Sequence, residues 1–224
     1  MTTTLRPAGP DRTGPESSRG YDICVNGRRV GGLEIETGPP PGHRTGTILS
    51  LFVEPAERHR GRATVAVLAA EEVLRSWGCD VIRMSVAPTA RAATRLVLAV
   101  GYAPAGRVLE KILAVPPPAL PEGLTVRPER PQGGYDLLDG DTAVGWYKLM
   151  ADGESMRLVT VGIGEPWRGR GYGRALIRHA EGSALAAGAR RLLLSVPADD
   201  DAALRLASAL GYRTTLVHWR KTLL

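Results

Sequence analysis

The feature that most constrains this chain is an internal repeat, because segments of its first half return in the same order in its second half. Thr4–Pro7 returns as Thr125–Pro128, and the pair Gly101-Tyr102 returns as Gly211-Tyr212. The distance between partners changes only in segments expected to be loops. An internal repeat constrains the overall fold more strongly than any local secondary-structure signal. We therefore predict two similar folded units in tandem.

Further correspondences lie between these two landmarks. They include a glycine- and arginine-rich segment and a helical segment that precedes each Gly-Tyr pair. The matched positions are Tyr21 with Tyr135, Val30 with Val144, Arg58 with Arg168, Gly61 with Gly171, Ala93 with Ala203 and Leu96 with Leu206.

A proline-rich segment separates the two copies. Residues Pro116–Pro121 contain four prolines in six positions, which excludes a helix and favours a stiff extended spacer. We predict an N-terminal domain over residues 1–113, a linker over 114–123 and a C-terminal domain over 124–224.

Periodicity gives the same order of elements in each copy: a short strand, a hairpin, an apolar strand, a Gly/Arg loop, a helix, a buried strand, a second helix and a final strand. Asn26-Gly27 and Asp139-Gly140 are hairpin signals. A strand, a helix and a second strand form a crossover unit. The expected fold class is α/β (α+β), with a mixed, mostly antiparallel sheet and flanking helices in each copy. The predicted helices are Thr64–Ser76, Ala90–Val100, Arg174–Ala187 and Asp200–Leu210.

Composition excludes several classes of function. The net charge of +6 and pI of 9.7 come almost entirely from arginines scattered along the chain, so no nucleic-acid partner is expected. Cys24 and Cys79 are too few for a disulfide framework or a zinc site, and we predict no metal. No apolar run reaches the roughly 20 residues of a membrane span. We expect a cytoplasmic protein without a membrane partner.

The segment Arg168–Gly173 lies between a predicted strand and a predicted helix. Its glycines let the backbone approach an anion closely, and the N-terminus of a helix adds partial positive charge. The pattern predicts a pyrophosphate cradle. Taken alone it is weak, because glycine-rich turns also serve nucleotides.

The surrounding residues make the prediction more specific. Val161–Leu176 resembles the acetyl-CoA loop of the GNAT superfamily, whose core is Arg/Gln-x-x-Gly-x-Gly/Ala, and the first copy fits with Arg58, Gly61 and Ala63. The helix before each Gly-Tyr pair is similar to the family's Asn-x-x-Ala-x-x-Leu-Tyr helix. The tandem arrangement is similar to that of mycothiol synthase and related double-GNAT enzymes.

This resemblance implies acetyl-CoA as the cofactor. The pantetheine would lie between splayed strands ending at Ile163 and Val196, and the pyrophosphate would meet the loop N–H groups. An acceptor amine would then attack the thioester. The implied cofactor-binding residues are Val161, Ile163, Arg168, Gly169, Arg170, Gly171, Tyr172, Gly173 and Arg174 in the second copy, and Val53, Arg58, His59, Arg60, Gly61, Arg62 and Ala63 in the first.

The chain departs from the family at several positions. The usual acid, a tyrosine of the second helix, is Val97 in one copy and Ala207 in the other. The family's asparagine is replaced by Ala90 and Asp200. Both copies also lack room for the first helical pair, which in the family covers the acceptor. The acceptor site is therefore expected to be open or covered by the other copy.

Glu165 and Ser195 are the candidate catalytic residues of the second copy. We predict an acyl-CoA-dependent N-acyltransferase whose partners are acyl-CoA and a primary amine of a small metabolite or peptide. The alternative is a non-catalytic acyl-CoA-binding or protein-interaction module, which the missing tyrosines favour. We expect the functional cofactor site in the second copy, because it retains Gly169, Gly171 and Gly173.

Overall fold

The computed structural model describes residues 2–9, 18–38, 44–129 and 134–223. It divides into two compact units. The first consists of Met1–Ala105 together with Leu216–Leu224, and the second is the continuous stretch Gly106–Thr215. The second unit is therefore inserted in the sequence of the first.

In the described part of the first unit, six strands form a sheet in the order β1-β2-β3-β4-β5-β12. Neighbouring strands are antiparallel except β4 and β5, which run parallel. The elements are β1 (Thr3–Pro7), β2 (Arg19–Val25), β3 (Arg28–Thr37), β4 (Thr45–Val53), α1 (Arg62–Ser76), β5 (Val81–Val86), α2 (Arg91–Ala99) and β12 (Arg213–Thr222).

The second unit repeats this arrangement in the order β6-β11-β10-β9-β8-β7, with only β10 and β11 parallel. The predicted fold class, a mostly antiparallel mixed sheet with flanking helices, is confirmed in both units. The elements are β6 (Ala103–Ile112), β7 (Leu124–Glu129), β8 (Gly134–Asp139), β9 (Thr142–Asp152), β10 (Ser155–Ile163), α3 (Tyr172–Ala186), β11 (Arg191–Pro197) and α4 (Asp201–Ala209).

Turn residues form the hairpins for a local steric reason. Asn26 and Gly27 both have positive φ, 49° and 83°, as a tight two-residue turn between twisted strands requires. The second hairpin turns at Gly140 (φ 57°) and Asp141, one residue later than predicted, because β8 continues through Asp139.

Each unit buries its apolar residues between the sheet and its two helices. The family's tyrosine position is part of these cores, since Val97 and Ala207 are each 1% exposed. In the first unit the cluster includes Ile35, Val67, Leu74, Ile82, Val97 and Trp219, and in the second it includes Leu109, Tyr147, Leu176, Leu192, Ala207 and Tyr212.

The last strand of each sequence copy belongs to the sheet formed by the other copy. Val217–Thr222 pairs antiparallel with Val81–Val86 in the first unit, and Gly106–Ile112 pairs with Arg191–Pro197 in the second. The predicted domain bounds 1–113 and 124–224 thus follow the repeat in the sequence, whereas the compact units exchange its final strand.

A buried ion pair fixes each exchanged strand to a helix. Lys221 Nζ lies 2.6 Å from Glu71 on α1, and Lys111 Nζ lies 2.8 Å from both carboxylate oxygens of Glu181 on α3. The two glutamate side chains are only 5% and 4% exposed. A carboxylate buried to this extent needs a partner, so each lysine is required where it lies.

Two segments were not expected to form the family's first helical pair, Ala8–Gly20 because it is too rich in proline and glycine and Glu129–Gly134 because it is too short. Both fall largely outside the described residues. Residues 10–17 and 130–133 are the parts concerned. Among the helices of the described ranges, none combines the length and the apolar character needed to cross a membrane.

Candidate functional site

The parallel strand pair of the second unit separates halfway along its length. In β10, only Met156–Leu158 pair with β11, where their partners are Leu192–Leu194. On its other edge, β10 stays paired with β9 as far as Ile163. The register shifts at Val159, which is the residue where the two strands part. Beyond this bulge the backbone groups of β10 face an opening toward β11, and an extended ligand can pair with them as an added strand.

Apolar side chains border this opening. Val161 is 44% exposed although its cross-strand neighbour Tyr147 is 1% exposed. Val159 is likewise 44% exposed. The family resemblance implies that Val161 and Ile163 lie beside the pantetheine. In the structure both residues lie on the part of β10 that is not paired with β11.

The loop after β10 leads directly from the opening to α3. It begins with a short 3₁₀ turn, Glu165–Trp167, and passes through two left-handed positions, Gly169 (φ 78°) and Gly171 (φ 86°). The first N–H groups bonded into α3 are those of Arg174 and Ala175, both to the carbonyl of Gly171. The N–H groups before them are not used by the helix, which is the arrangement that receives an anion.

The space in front of the loop is open. A Cβ atom added at Gly169 or at Gly171 would meet no protein atom within 4 Å. At Gly173, in contrast, it would lie 3.2 Å from Leu206 Cδ2 on α4. The first two glycines therefore border open space, and the third allows α3 to pack closely on α4.

Side chains hold the loop in place from behind. Arg168 Nε lies 3.4 Å from the carbonyl oxygen of Ile163, and the Arg170 guanidinium lies 5.0 Å from the centre of the Trp167 ring. Trp167 in turn meets Tyr172 edge to face, and the Tyr172 hydroxyl donates to Asp139. This hydrogen bond raises the pKa of Tyr172. Arg168 thus acts partly as a brace between the loop and the end of β10.

The loop of the first unit follows the same backbone path. His59 has a φ of 59° where the second unit has Gly169, and Gly61 has a φ of 74°. Arg58 Nε donates to the carbonyl of Val53 at 2.9 Å, and the N–H of Val65 is the first bonded into α1, to Gly61. The parallel strands of the first unit also separate, because only Thr45–Ile48 of β4 pair with β5, where their partners are Val81–Met84.

The two loops differ in their bracing residues. The first unit has Glu57 where the second has Trp167. The Glu57 side chain is 11% exposed and lies 2.6 Å from Arg28, 3.8 Å from Arg60 and 3.7 Å from Arg62. A cluster of charges therefore replaces the aromatic contacts of the second unit.

The two candidate catalytic residues lie on different sides of the opening. Ser195 is exposed and is the first residue of β11 beyond its last pairing with β10, and Glu165 is exposed at the start of the loop. No hydrogen bond joins the two. Their chemical role stays a prediction.

Two polar clusters join residues that sequence reasoning did not connect with one another. In the first unit, His218 Nδ1 lies 2.8 Å from Ser85 Oγ on the neighbouring strand. In the second, Tyr147 OH lies 2.8 Å from His179 Nδ1 and 3.0 Å from Ser183 Oγ. Ser85 and His218 are 133 residues apart, and Tyr147 and His179 are 32 residues apart, so no local spacing signals these two contacts.

Burial changes the ionisation of the second cluster. It raises the pKa of Tyr147 to about 12 and lowers the pKa of His179. Both groups are therefore neutral near pH 7. Within the described ranges, no three His, Cys, Asp or Glu residues are grouped so as to hold a metal ion.

Known proteins share this arrangement. A GCN5-related N-acetyltransferase from Sphaerobacter thermophilus matches 93% of this chain and 81% of its own at a TM-score of 0.69 and 22% identity. A tandem GNAT protein from the clavulanic acid biosynthesis pathway matches 93% of this chain and 83% of its own at a TM-score of 0.60 and 17% identity. At these identities the likeness shows the fold.

Sequence comparison finds a mycothiol acetyltransferase from Corynebacterium efficiens that is 38% identical over 84 residues. The match covers 37% of this chain and 28% of that relative, so the chain spans less than a third of it. The model of the Acetyltransferase (GNAT) family matches residues 6–102 and again residues 112–212. With both of its halves matched over most of their length, the chain belongs to the GNAT acetyltransferase family.

Proposed function

We propose that the protein is an acyl-CoA-dependent N-acyltransferase that uses acetyl-CoA and acts on a primary amine of a small metabolite or peptide. The observation that carries this proposal is the opening between β10 and β11, which leads directly onto the loop with open space at Gly169 and Gly171. Family membership and the acetyltransferase name of the partial relative support acyl transfer.

Different parts of the second unit would bind the pyrophosphate, the pantetheine and the oxyanion. The N–H groups of residues 169–173 would hold the pyrophosphate, and the unpaired side of β10 would hold the pantetheine amides. A backbone N–H beside the bulge at Val159 would stabilise the oxyanion that forms when the amine attacks the thioester. Loss of the family's tyrosine is tolerable, because a thiol with a reference pKa of about 8.5 leaves without full protonation.

Calorimetric titration with acetyl-CoA tests the site. Gly171→Val places a branched side chain in the open space of the cradle, and we expect it to weaken binding by about 2 kcal/mol, roughly thirtyfold in Kd. Gly188→Val is the matched control. Gly188 has the same φ of 86° and the same open surroundings, but it follows the other end of α3. It should cost the same backbone strain and leave binding intact.

Gly61→Val makes the same change in the first unit and should reduce turnover less than Gly171→Val. Turnover is measured as thiol release from acetyl-CoA with a panel of primary amines. If Gly61→Val abolishes activity and Gly171→Val leaves it intact, the functional loop is that of the first unit. Binding without thiol release from any amine would indicate a binding module instead of an enzyme.

A further inference from the structure

We propose that the first unit is a second acyl-transfer site, in which His218 is the general base that deprotonates the acceptor amine and Ser85 positions it. The inference rests on the proposed acyl-CoA chemistry. The inference goes beyond that chemistry because it assigns His218 to the site of the first unit. His218 lies on the last strand, which the second sequence copy supplies.

The location of the pair carries the argument. β5 pairs with β4 only through Met84, and Ser85 is the next residue, so Ser85 stands where the two strands separate. β12 continues along the other edge of β5 and places His218 directly opposite Ser85. The imidazole therefore lies beside the opening that corresponds to the one between β10 and β11.

The pair lies on the face of the sheet that turns away from the helices. Met84 and Val86 are buried in the core with α1, so Ser85 between them points to the opposite face and is exposed. Trp219 is buried on the helix side, which places His218 on the same outer face as Ser85. An acceptor can reach this face without displacing the core.

The hydrogen bond gives the imidazole a suitable orientation. When Nδ1–H donates to Ser85 Oγ at 2.8 Å, Nε2 carries a lone pair directed away from Ser85. Arg83 and Arg220, which are paired with each other one step further along these strands, lie on the same face.

The proposed step transfers the acyl group directly from the thioester to the amine. The amine nitrogen bonds to the thioester carbonyl carbon, the carbon–sulfur bond breaks, and the thiolate leaves with the electron pair. His218 Nε2 takes the amine proton and releases it to solvent. The second unit has no equivalent, because Val108 stands opposite Ser195.

Chemical modification tests the location. Carbethoxylation of histidines by diethyl pyrocarbonate, mapped by peptide mass spectrometry, should be slowed at His218 by saturating acetyl-CoA. The protection should persist in Gly171→Val and disappear in Gly61→Val. An unchanged modification rate at His218, or protection that depends on Gly171 and not on Gly61, would overturn the assignment. Calorimetry on the same variants reports separately on the cofactor site of the second unit.

Kinetics test the role in Gly171→Val, which serves as the parent here because its turnover comes from the first unit, with glycinamide as the acceptor and thiol release as the readout. His218→Ala should lower the rate roughly a hundredfold, and added imidazole should restore part of it. Ser85→Ala should lower the rate less and shift the acidic limb of the pH profile, on which protonation removes the base. Arg220→Gln, on the same strand and face, should stay within about twofold of the parent. A His218→Ala protein as active as the parent, an absence of imidazole rescue, or a parent no faster than buffer would refute the base.

Discussion

The two loops of this protein show that one backbone path can be held by two kinds of side chain. Each loop follows a short 3₁₀ turn, passes two left-handed positions and opens a helix. In the second unit Trp167 and Tyr172 brace it by ring contacts, and in the first Glu57 and Arg62 brace it by charge. The part that the two loops share is therefore the backbone path, and the bracing is exchangeable.

The largest effect is expected from the lysines of the exchanged strands. Lys221→Met leaves the buried Glu71 carboxylate without its partner and should lower the free energy of unfolding by about 3 kcal/mol. Lys111→Met should do the same to Glu181 in the second unit. Urea denaturation measures both. The double variant Lys221→Met with Glu71→Leu should recover most of the loss, and a change below about 0.5 kcal/mol in the single variants would show that the pairs are dispensable.

The bracing of the loops gives the next effect. Glu57→Gln removes the charge that faces Arg28, Arg60 and Arg62, and we expect a loss of about 2 kcal/mol because Arg62 is nearly buried. Trp167→Leu in the second unit should cost about 1 kcal/mol, since Trp167 is only partly buried. Urea denaturation of the two variants compares them. Equal losses would mean that the charges contribute no more than the rings.

The polar cluster of the second unit predicts a pH dependence that the first unit lacks. Leu33 and Ala69 occupy the positions that correspond to Tyr147 and His179. Burial lowers the pKa of His179 below its ordinary value of 6.5, so the unfolded chain binds more protons than the folded one just below that pH. Stability is complete above pH 6.5 and falls as the pH drops through the window beneath it.

His179→Ala should remove this acid-side loss, as measured by thermal unfolding between pH 5 and pH 7 against the parent. Tyr147→Phe removes the hydroxyl bonded to His179 and Ser183 and should cost about 1 kcal/mol at neutral pH. An acid-side loss that survives in His179→Ala would assign it to other groups.

The smallest effect concerns the start of the second helix in each unit. Asp200 caps α4 by accepting a hydrogen bond from the N–H of Ala203 at 2.9 Å, whereas the N-cap residue of α2 is Ala90, which makes no side-chain hydrogen bond to the helix. Asp200→Ala should therefore destabilise by about 1 kcal/mol, and Ala90→Ser should stabilise by about 0.5 kcal/mol. Urea midpoints that move in the same direction for both variants would contradict this account.

The fold could be predicted from the sequence because the repeat and the strand–loop–helix order are both visible along the chain. The exchange of the last strands could not. Lys111 and Lys221 occupy equivalent positions, and so do Glu71 and Glu181. Each lysine therefore suits either glutamate equally well, and only packing in three dimensions decides the pairing.

The candidate site was predictable to a similar extent. The left-handed positions at Gly61, Gly169 and Gly171 follow from glycine itself, and the loop was located from them. His59 adopts the same conformation without being a glycine, which no local rule indicates. The contact between Ser85 and His218 depends on the strand exchange and was out of reach for the same reason as the lysine pairs.

The insertion of one unit within the other reverses the order in which they can be finished during translation. The second unit is continuous, and its last residue, Thr215, precedes Val217–Thr222 in the chain. The first unit begins earlier but must wait with the edge of β5 unpaired until that strand emerges. The half of the protein that is made first is therefore completed last, and it stays open to wrong partners throughout synthesis.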